Sequence, residues 1–225
     1  MKTLRRMRRG SGESGLTIVE LAVVALLLTV VLGSVALVAG SSEKMYRTES
    51  VHSHLESQAG ITMQHVCEEL RLAASDTLSP VPAAGVSASM LQYVQATGIE
   101  DGVVQWSPLH RLELEYEVGE IDDGLDNNGN GLIDEGRLVL VEDPGPNERR
   151  RVLTRWVAKM LEGEIENGVD DNGNGLVDER GFSLEAVGRS LTVRFTLERM
   201  SIDGTVLRRT ATSSVLPRNL LGDGS

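Results

Sequence analysis

The first pattern in the chain is a long apolar run. Residues 21–40 contain no charged side chain, and twenty helical residues at roughly 1.5 Å each span about 30 Å, the thickness of the hydrocarbon core of a bilayer. Five basic residues and one acidic residue lie within residues 1–15, and basic residues before a span keep that end in the cytoplasm. The pattern predicts a membrane-spanning helix over residues 16–40, with the rest of the chain exported.

The apolar positions then continue with helical spacing through residues 41–75. They recur every three or four residues, at Val51, Leu55, Ala59, Met63, Val66, Leu70 and Ala73. This spacing describes one face of a helix, so we expect a single helix from about Leu16 to Ala74. Its second half is predicted to be amphipathic and to pack on a globular head, with Cys67 as a small buried side chain.

After the helix the periodicity becomes alternating. Residues 112–118 and 191–197 alternate apolar with polar side chains, as half-buried strands do. Asp203-Gly204 is a tight-turn signal before a further strand over residues 205–211. Weaker strands are expected over residues 90–95, 103–106, 137–141 and 152–157. A long helix followed by antiparallel strands predicts an α+β fold, with the β-rich head in residues 80–225.

Two acidic segments interrupt the strands and repeat each other. Residues 119–135 read GEIDDGLDNNGNGLIDE and residues 163–179 read GEIENGVDDNGNGLVDE, with twelve of seventeen positions identical. Each segment holds six acidic residues and no basic residue, so the two together account for the net charge of -11. Like charges at this density repel one another unless a cation lies among them.

The spacing of oxygen-bearing side chains indicates which cation. Each copy matches the first nine positions of a calcium loop of EF-hand type, with glycine at position 6 and a backbone carbonyl ligand at position 7. The side-chain ligands are all hard oxygens, which favours Ca²⁺ over zinc or copper. The candidate ligands are Asp126, Asn128, Asn130, Leu132 and Asp134 in the first copy, and Asp170, Asn172, Asn174, Leu176 and Asp178 in the second. We therefore predict two calcium ions, one in each loop.

Position 12 departs from the EF-hand pattern, because Arg137 and Gly181 stand where a bidentate glutamate is expected. The missing ligands can come from nearby acids, either Glu135 and Glu179 or, upstream, Asp122 and Glu166. Since strands bracket the loops, they more closely resemble the short calcium loops of extracellular proteins, such as thrombospondin type 3 and dockerin repeats. Two neutral asparagine ligands in each loop predict weak binding, on the order of 10⁻⁴–10⁻³ M. The alternative is that the Asn-Gly pairs are hairpin turns and the acids are solvated.

The junction between the basic leader and the apolar run carries a more specific motif. Gly15-Leu16-Thr17-Ile18-Val19-Glu20 resembles the prepilin peptidase site of type IV pilins and type II secretion pseudopilins, with leucine where the family usually has phenylalanine. The resemblance implies that a prepilin peptidase cuts after Gly15 and that Leu16 becomes the methylated amino terminus. It also implies a bacterial inner-membrane location with a periplasmic head, and other pilin or pseudopilin subunits as partners. The order of the strands and residues 215–219 resemble the heads of J-type pseudopilins and W-type minor pilins.

Glu20 lies at the edge of the span, where a carboxylate is expensive to bury and needs a partner. In the family that partner is the positive amino terminus of a neighbouring subunit, so the resemblance implies that Glu20 sets the register of subunits in a filament. The alternative is a plain signal anchor whose Glu20 reaches the lipid headgroups.

The sequence offers little support for other classes of function. It contains no recognisable nucleophile–base pair, phosphate loop or His/Cys cluster, which argues against an enzyme. Its net charge of -11 argues against nucleic acid as a partner. The expected function is that of a minor pilin or pseudopilin with a calcium-stabilised exported head. The alternative is a membrane-anchored module that does not assemble and that binds a surface or ligand through calcium.

Overall fold

The computed structural model describes residues 17–81 and 83–218. The chain divides into two compact units, Met1–Tyr46 and Arg47–Ser225, which are described separately. Gly15 and Leu16, the predicted cleavage site, lie outside the described residues.

Helix α1 runs from Ile18 to Leu72 and accounts for the described part of the first unit. Its segment Ile18–Gly40 has a mean hydropathy of 2.9 and none of it is buried. This segment is long and apolar enough to cross a membrane. The prediction of a continuous helix through this region is therefore confirmed.

The second unit contains the remainder of α1 and nine strands. They are β1 (Met90–Tyr93), β2 (Ala96–Glu100), β3 (Val103–Trp106), β4 (His110–Tyr116), β5 (Gly136–Glu142), β6 (Arg149–Val157), β7 (Phe182–Val187), β8 (Ser190–Met200) and β9 (Val206–Val215). Seven of them form one sheet in the order β1-β4-β5-β6-β8-β7, with β9 also paired to β8, while β2 and β3 form a separate hairpin. Every pairing between these strands is antiparallel, so the α+β expectation is confirmed.

The helical face predicted from sequence supplies the helix side of the core. Val66 and Leu70 are completely buried, Leu55 and Ala59 are 2% exposed, and Cys67 is buried as predicted. They share one cluster with apolar residues from the sheet, among them Leu112, Leu138, Phe182, Val193 and Phe195. Burying an aliphatic side chain of this size contributes about 1.5–3 kcal/mol, so this face attaches the helix to the sheet.

The helix ends two residues earlier than predicted because the chain turns to pair with the strands. Ala73 forms an isolated bridge with Gln95, and the Ala74 amide donates to the Val94 carbonyl at 2.9 Å. Both alanines are completely buried. Close contact between backbones at this corner accounts for two small residues in succession.

Two strands were not predicted from the sequence. In β2, Gly98 and an almost entirely exposed set of side chains leave no alternating pattern. In β7 the first three side chains, Phe182 to Leu184, are all buried, so the strand has no polar alternation to recognise. The predicted strand over residues 112–118 ends instead at Tyr116, because the Glu117 amide donates to the Glu135 carbonyl and opens a long loop.

A glycine is required where the chain re-enters the sheet before β7. The Gly181 amide donates to the Lys159 carbonyl and its carbonyl accepts from Thr196, each at 2.9 Å. A Cβ atom added at Gly181 would collide with the backbone carbonyl of Ala158. The absent side chain therefore allows three backbone segments to meet.

We expect Gly181→Ala to lower the free energy of unfolding by about 1–3 kcal/mol, because backbone must move to admit the methyl group. Urea unfolding of the full chain in detergent measures the loss. The control is Gly60→Ala in the exposed part of α1, where a Cβ would meet nothing within 4 Å. That substitution should stabilise by about 0.5–1 kcal/mol, and equal effects of the two changes would contradict the packing argument.

Candidate metal centre

The two acidic loops leave the sheet at the same end. The first joins β4 to β5, and the second joins β6 to β7. In the sheet register Tyr116 pairs with Gly136, and Gly136 pairs with Val157. The end of β4, the start of β5 and the end of β6 therefore lie in one row, which places the bases of both loops side by side.

Both loops close with the same backbone contacts. The Glu117 amide donates to the Glu135 carbonyl at 2.9 Å, and the Leu161 amide donates to the Glu179 carbonyl at 3.0 Å. These pairs occupy equivalent positions of the repeat. The sequence duplication is thus also a duplication of local structure.

The aspartate at position 1 organises each loop by accepting backbone hydrogen bonds. Asp126 accepts from the Gly131 amide at 2.7 Å, and Asp170 accepts from the Gly175 amide at 2.8 Å. Both glycines have positive φ, 88° and 90°, a conformation that favours glycine. This explains physically why both copies have aspartate at position 1 and glycine at position 6.

The asparagines at positions 3 and 5 converge on the buried glutamate of their own loop. Asn128 and Asn130 donate their side-chain amides to Glu135 Oε1 at 2.8 and 2.6 Å. The second loop repeats these contacts from Asn172 and Asn174 to Glu179, at 3.4 and 3.0 Å. Leu132 and Leu176 each donate a backbone amide to the position-5 asparagine oxygen, at 2.8 and 2.9 Å. The structure therefore brings together the predicted residues at positions 3, 5 and 7 and the glutamate at position 10.

The aspartate at position 9 is directed elsewhere. Asp134 accepts from the Gly124 amide at 3.0 Å and from Lys159 Nζ at 3.1 Å. Asp178 accepts from the Gly168 amide at 3.0 Å. In each loop this aspartate holds the preceding turn, so the structure does not place its carboxylate with the position 3 and 5 side chains.

Lys159 links the two loops. Its Nζ lies 2.5 Å from Asp122, 3.1 Å from Asp134 and 3.6 Å from Glu166 of the second loop. The hydrogen bond to Asp122 is the main reason why the pKa of Lys159 is raised, and the same bond lowers the pKa of Asp122. Burial acts to raise the pKa of Asp134, but the bonds from Lys159 and Gly124 outweigh it and the pKa is lowered. Sequence reasoning missed Lys159, although it lies only four residues before the second acidic segment.

The upstream acids that face into the loops are also different from those proposed from sequence. Asp122 and Glu166 are exposed and pair with Lys159. Glu120 accepts from the Asn128 amide at 2.7 Å, and Glu164 accepts from the Asn172 amide at 3.0 Å. Both are buried, at 6% and 7% exposure. The only sequence signal for them is the Gly-Glu-Ile triplet that begins each copy.

The acidic side chains of the first loop include buried carboxylates, which a simple solvated turn would not have. Such a donor set suits a hard divalent cation. Glu117, Glu120 and Glu135 each have a buried Oε2 without a hydrogen-bond partner among the described residues, and carboxylate oxygens are the ligands that Ca²⁺ prefers. No group of three or more His, Cys, Asp or Glu side chains forms a metal cluster in residues 17–81 and 83–218. Amide and backbone oxygens would therefore have to complete any shell.

Glu20, the residue predicted to set subunit register, belongs to the first unit. Its carboxylate accepts from the Thr17 amide and hydroxyl, both at 2.9 Å, and its own amide donates to the Thr17 hydroxyl at 3.3 Å. This reciprocal arrangement is a capping box, which satisfies otherwise unpaired amides at a helix amino terminus. Glu20 therefore has a local structural role in the single chain.

Comparison with protein-family models, with curated proteins and with solved structures finds no match to this chain.

We expect Asp134→Asn to lower the free energy of unfolding by about 1–3 kcal/mol in calcium-free buffer at neutral pH, because a buried, charge-assisted network loses its charge. Asparagine tolerates the positive φ of 52° at this position. Since the pKa of Asp134 is lowered from 3.8, its contribution is present above that pH and is lost as the pH falls through the folded-state pKa.

Thermal melts of the full chain between neutral pH and pH 3 measure this contribution. The difference between wild type and Asp134→Asn should be constant above about pH 3.8 and should shrink as the pH falls below it toward the lowered folded-state pKa. Asp143→Asn, at an exposed position with similar backbone, is the control and should show no such pH-dependent difference. A gap that persists at low pH would contradict the electrostatic assignment.

Proposed function

We propose that this chain is a membrane-anchored assembly subunit, a minor pilin or pseudopilin of a type IV pilus or type II secretion-like filament. The observation that carries the proposal is the composition of helix α1. One helix, Ile18–Leu72, begins with a strongly apolar segment of 23 residues, none of them buried, and continues with a face that is buried against a β-sheet. An exposed apolar segment requires lipid or other subunits around it, while the same helix is fixed to a folded head.

The proposed topology follows from the charge of the leader. Basic residues before the span favour a cytoplasmic amino terminus, which would put the head in the periplasm of a bacterium. The resemblance at Gly15-Leu16 supplies the processing step, in which a prepilin peptidase removes residues 1–15. Loss of this leader would leave Glu20 close to the new amino terminus.

Processing is the first test of the proposal. Coexpression with a prepilin peptidase should shorten the chain by the fifteen residues of the leader and leave Leu16 methylated, as read by intact-mass measurement. Replacing Gly15 by a bulky residue should prevent cleavage while membrane insertion persists, because the apolar span is unchanged. Full-length chain after coexpression, or a cut beyond Ala39, would contradict the proposal.

The second test separates two roles of Glu20. Glutamine is also accepted at the third helical position of a capping box, so Glu20→Gln keeps the local cap but removes the charge. If a charge pair with the neighbouring amino terminus sets the register, Glu20→Gln should insert normally and fail to enter filaments. Crosslinking or copurification with partner subunits measures incorporation.

Thr29→Ala is the matched control, because the Thr29 hydroxyl donates to the Leu26 carbonyl of its own helix at 2.7 Å. This variant should assemble normally. Normal assembly of Glu20→Gln together with failure of Glu20→Ala would instead assign Glu20 to helix capping alone.

A calcium-stabilised head is part of the same proposal. Native-state binding raises stability by RT ln(1 + [L]/Kd), or ~2.7 kcal/mol at a hundredfold excess over Kd. Hard-oxygen donors in both loops and unpaired buried carboxylate oxygens in the first support this assignment. Calcium at low-millimolar concentration would then stabilise the strands that bracket the loops.

A second candidate function is supported by apolar side chains on the same loops. At equivalent positions of the two copies, six branched aliphatic residues are at least half exposed: Ile121 and Ile165, Leu125 and Val169, and Ile133 and Val177. Apolar groups displayed among acidic ones are typical of contact surfaces. A membrane-anchored module that binds a ligand through calcium would use these loops, and it would not require processing after Gly15 or the charge of Glu20.

A further inference from the structure

The two acidic loops differ in how completely their buried glutamates are hydrogen-bonded. In the second loop Glu164 accepts from the Asn172 amide at 3.0 Å and from the Asp178 amide at 3.2 Å, through different oxygens. Both oxygens of Glu179 accept from the Asn174 side-chain amide at 3.0 Å. All four carboxylate oxygens of Glu164 and Glu179 therefore have a donor from the protein.

In the first loop only half of the corresponding oxygens have donors. Glu120 Oε1 accepts from the Asn128 amide at 2.7 Å, and Glu135 Oε1 accepts from Asn128 and Asn130. The Oε2 atoms of both glutamates are buried and have no hydrogen-bond partner among the described residues. Glu135 is completely buried and Glu120 is 6% exposed, so bulk water does not replace the missing donors.

These unpaired oxygens belong to the interior of the first loop. Both glutamates reach the same residue, Asn128, one at its backbone amide and the other at its side chain. Glu117 adds a third buried Oε2 without a partner at the base of this loop. Its other oxygen accepts from the Val118 amide at 2.9 Å, and its cationic neighbour, Arg155, is 3.7 Å away. An excess of buried negative charge without donors is unfavourable unless a cation or protons compensate for it.

We propose that the first loop binds one divalent hard cation, Ca²⁺, through the carboxylates of Glu120 and Glu135, and that this site is tighter than its counterpart in the second loop. The inference rests on the calcium part of the proposed function, but it assigns different ligands and unequal affinities to the two loops. The repeat in the sequence predicts two equal sites centred on aspartate and asparagine ligands. Hydrogen bonding makes the sites unequal, because the second loop satisfies its glutamates without an ion and the first does not.

The test is calcium titration of the full chain in detergent, by calorimetry with CaCl₂ and by counting bound ions in native mass spectra. Wild type should bind two ions in two distinguishable steps. Glu135→Gln or Glu120→Gln should weaken the tight step by about tenfold or more, since calcium affinity in such loops is set by ligand charge. The matched substitutions Glu179→Gln and Glu164→Gln should leave the tight step unchanged.

Glutamine has the shape of glutamate, so the fold can be checked for each variant from its melting temperature in calcium-free buffer. Removing a buried charge should not lower that temperature for Glu135→Gln, whereas the rise on adding CaCl₂ should largely disappear. MgCl₂ at equal concentration is the control ion and should substitute poorly, because it demands a smaller octahedral shell.

The outcomes separate this inference from the proposed function. Two equal steps that Asp126→Ala and Asp170→Ala each remove, with no effect of Glu120→Gln or Glu135→Gln, would overturn the inference and keep a calcium-binding head. Equal weakening by Glu135→Gln and Glu179→Gln would also overturn it. Absence of any binding heat or bound ion would overturn the calcium part of the proposed function as well, while the processing and Glu20 experiments would be unaffected.

Discussion

The burial of one helical face against the sheet is the constraint on which the second unit depends. Val66 and Leu70 are completely inaccessible and share a core with residues from β4, β5, β7 and β8. Few aromatic residues are available, since they form 3% of the chain, so the core depends on close packing of aliphatic side chains. The largest buried exceptions, Tyr93, Phe182 and Phe195, lie on strands β1, β7 and β8. A fixed sheet register then fixes where the loops emerge.

The register places two acidic loops next to one another, and this proximity has an electrostatic consequence. The two loops repel each other electrostatically, because each contains six acidic residues and no basic residue. Lys159 lies between them and contacts Asp122 and Asp134 of one loop and Glu166 of the other. Arg208 similarly pairs with the buried Glu198 at 3.0 Å, where burial raises the pKa of the carboxyl group and the charge of Glu135 adds to the effect. Lys159, which lies outside both repeats, therefore compensates for part of their charge.

The two loops show that near-identical sequence does not ensure equivalent chemistry. Their backbones close with the same hydrogen bonds and their asparagines contact equivalent glutamates, but Asn174 reaches both oxygens of Glu179 whereas Asn130 reaches one oxygen of Glu135. They differ in their surroundings: the first loop connects β4 and β5, which pair directly with each other, whereas the second connects β6 and β7, which both pair with β8. Small differences in backbone position decide whether a buried carboxylate oxygen meets an amide. Leaving a buried carboxylate oxygen without a donor costs folding free energy, so a small shift of the backbone can change the stability of a loop.

Features with a local period or a local motif were predictable from the residues alone. The apolar span, the buried face from Leu55 to Ala73, the alternating strands β4 and β8 and the duplicated acidic segments could all be predicted, because each repeats with the geometry of one element. The cap formed by Thr17 and Glu20 is equally local. Other features required the folded chain: β7 is a buried strand, Lys159 joins the loops, and Glu120 and Glu164, rather than Asp122 and Glu166, face inward. These features depend on strand register and on partners distant in sequence, and a loop side chain has no period from which its direction can be inferred.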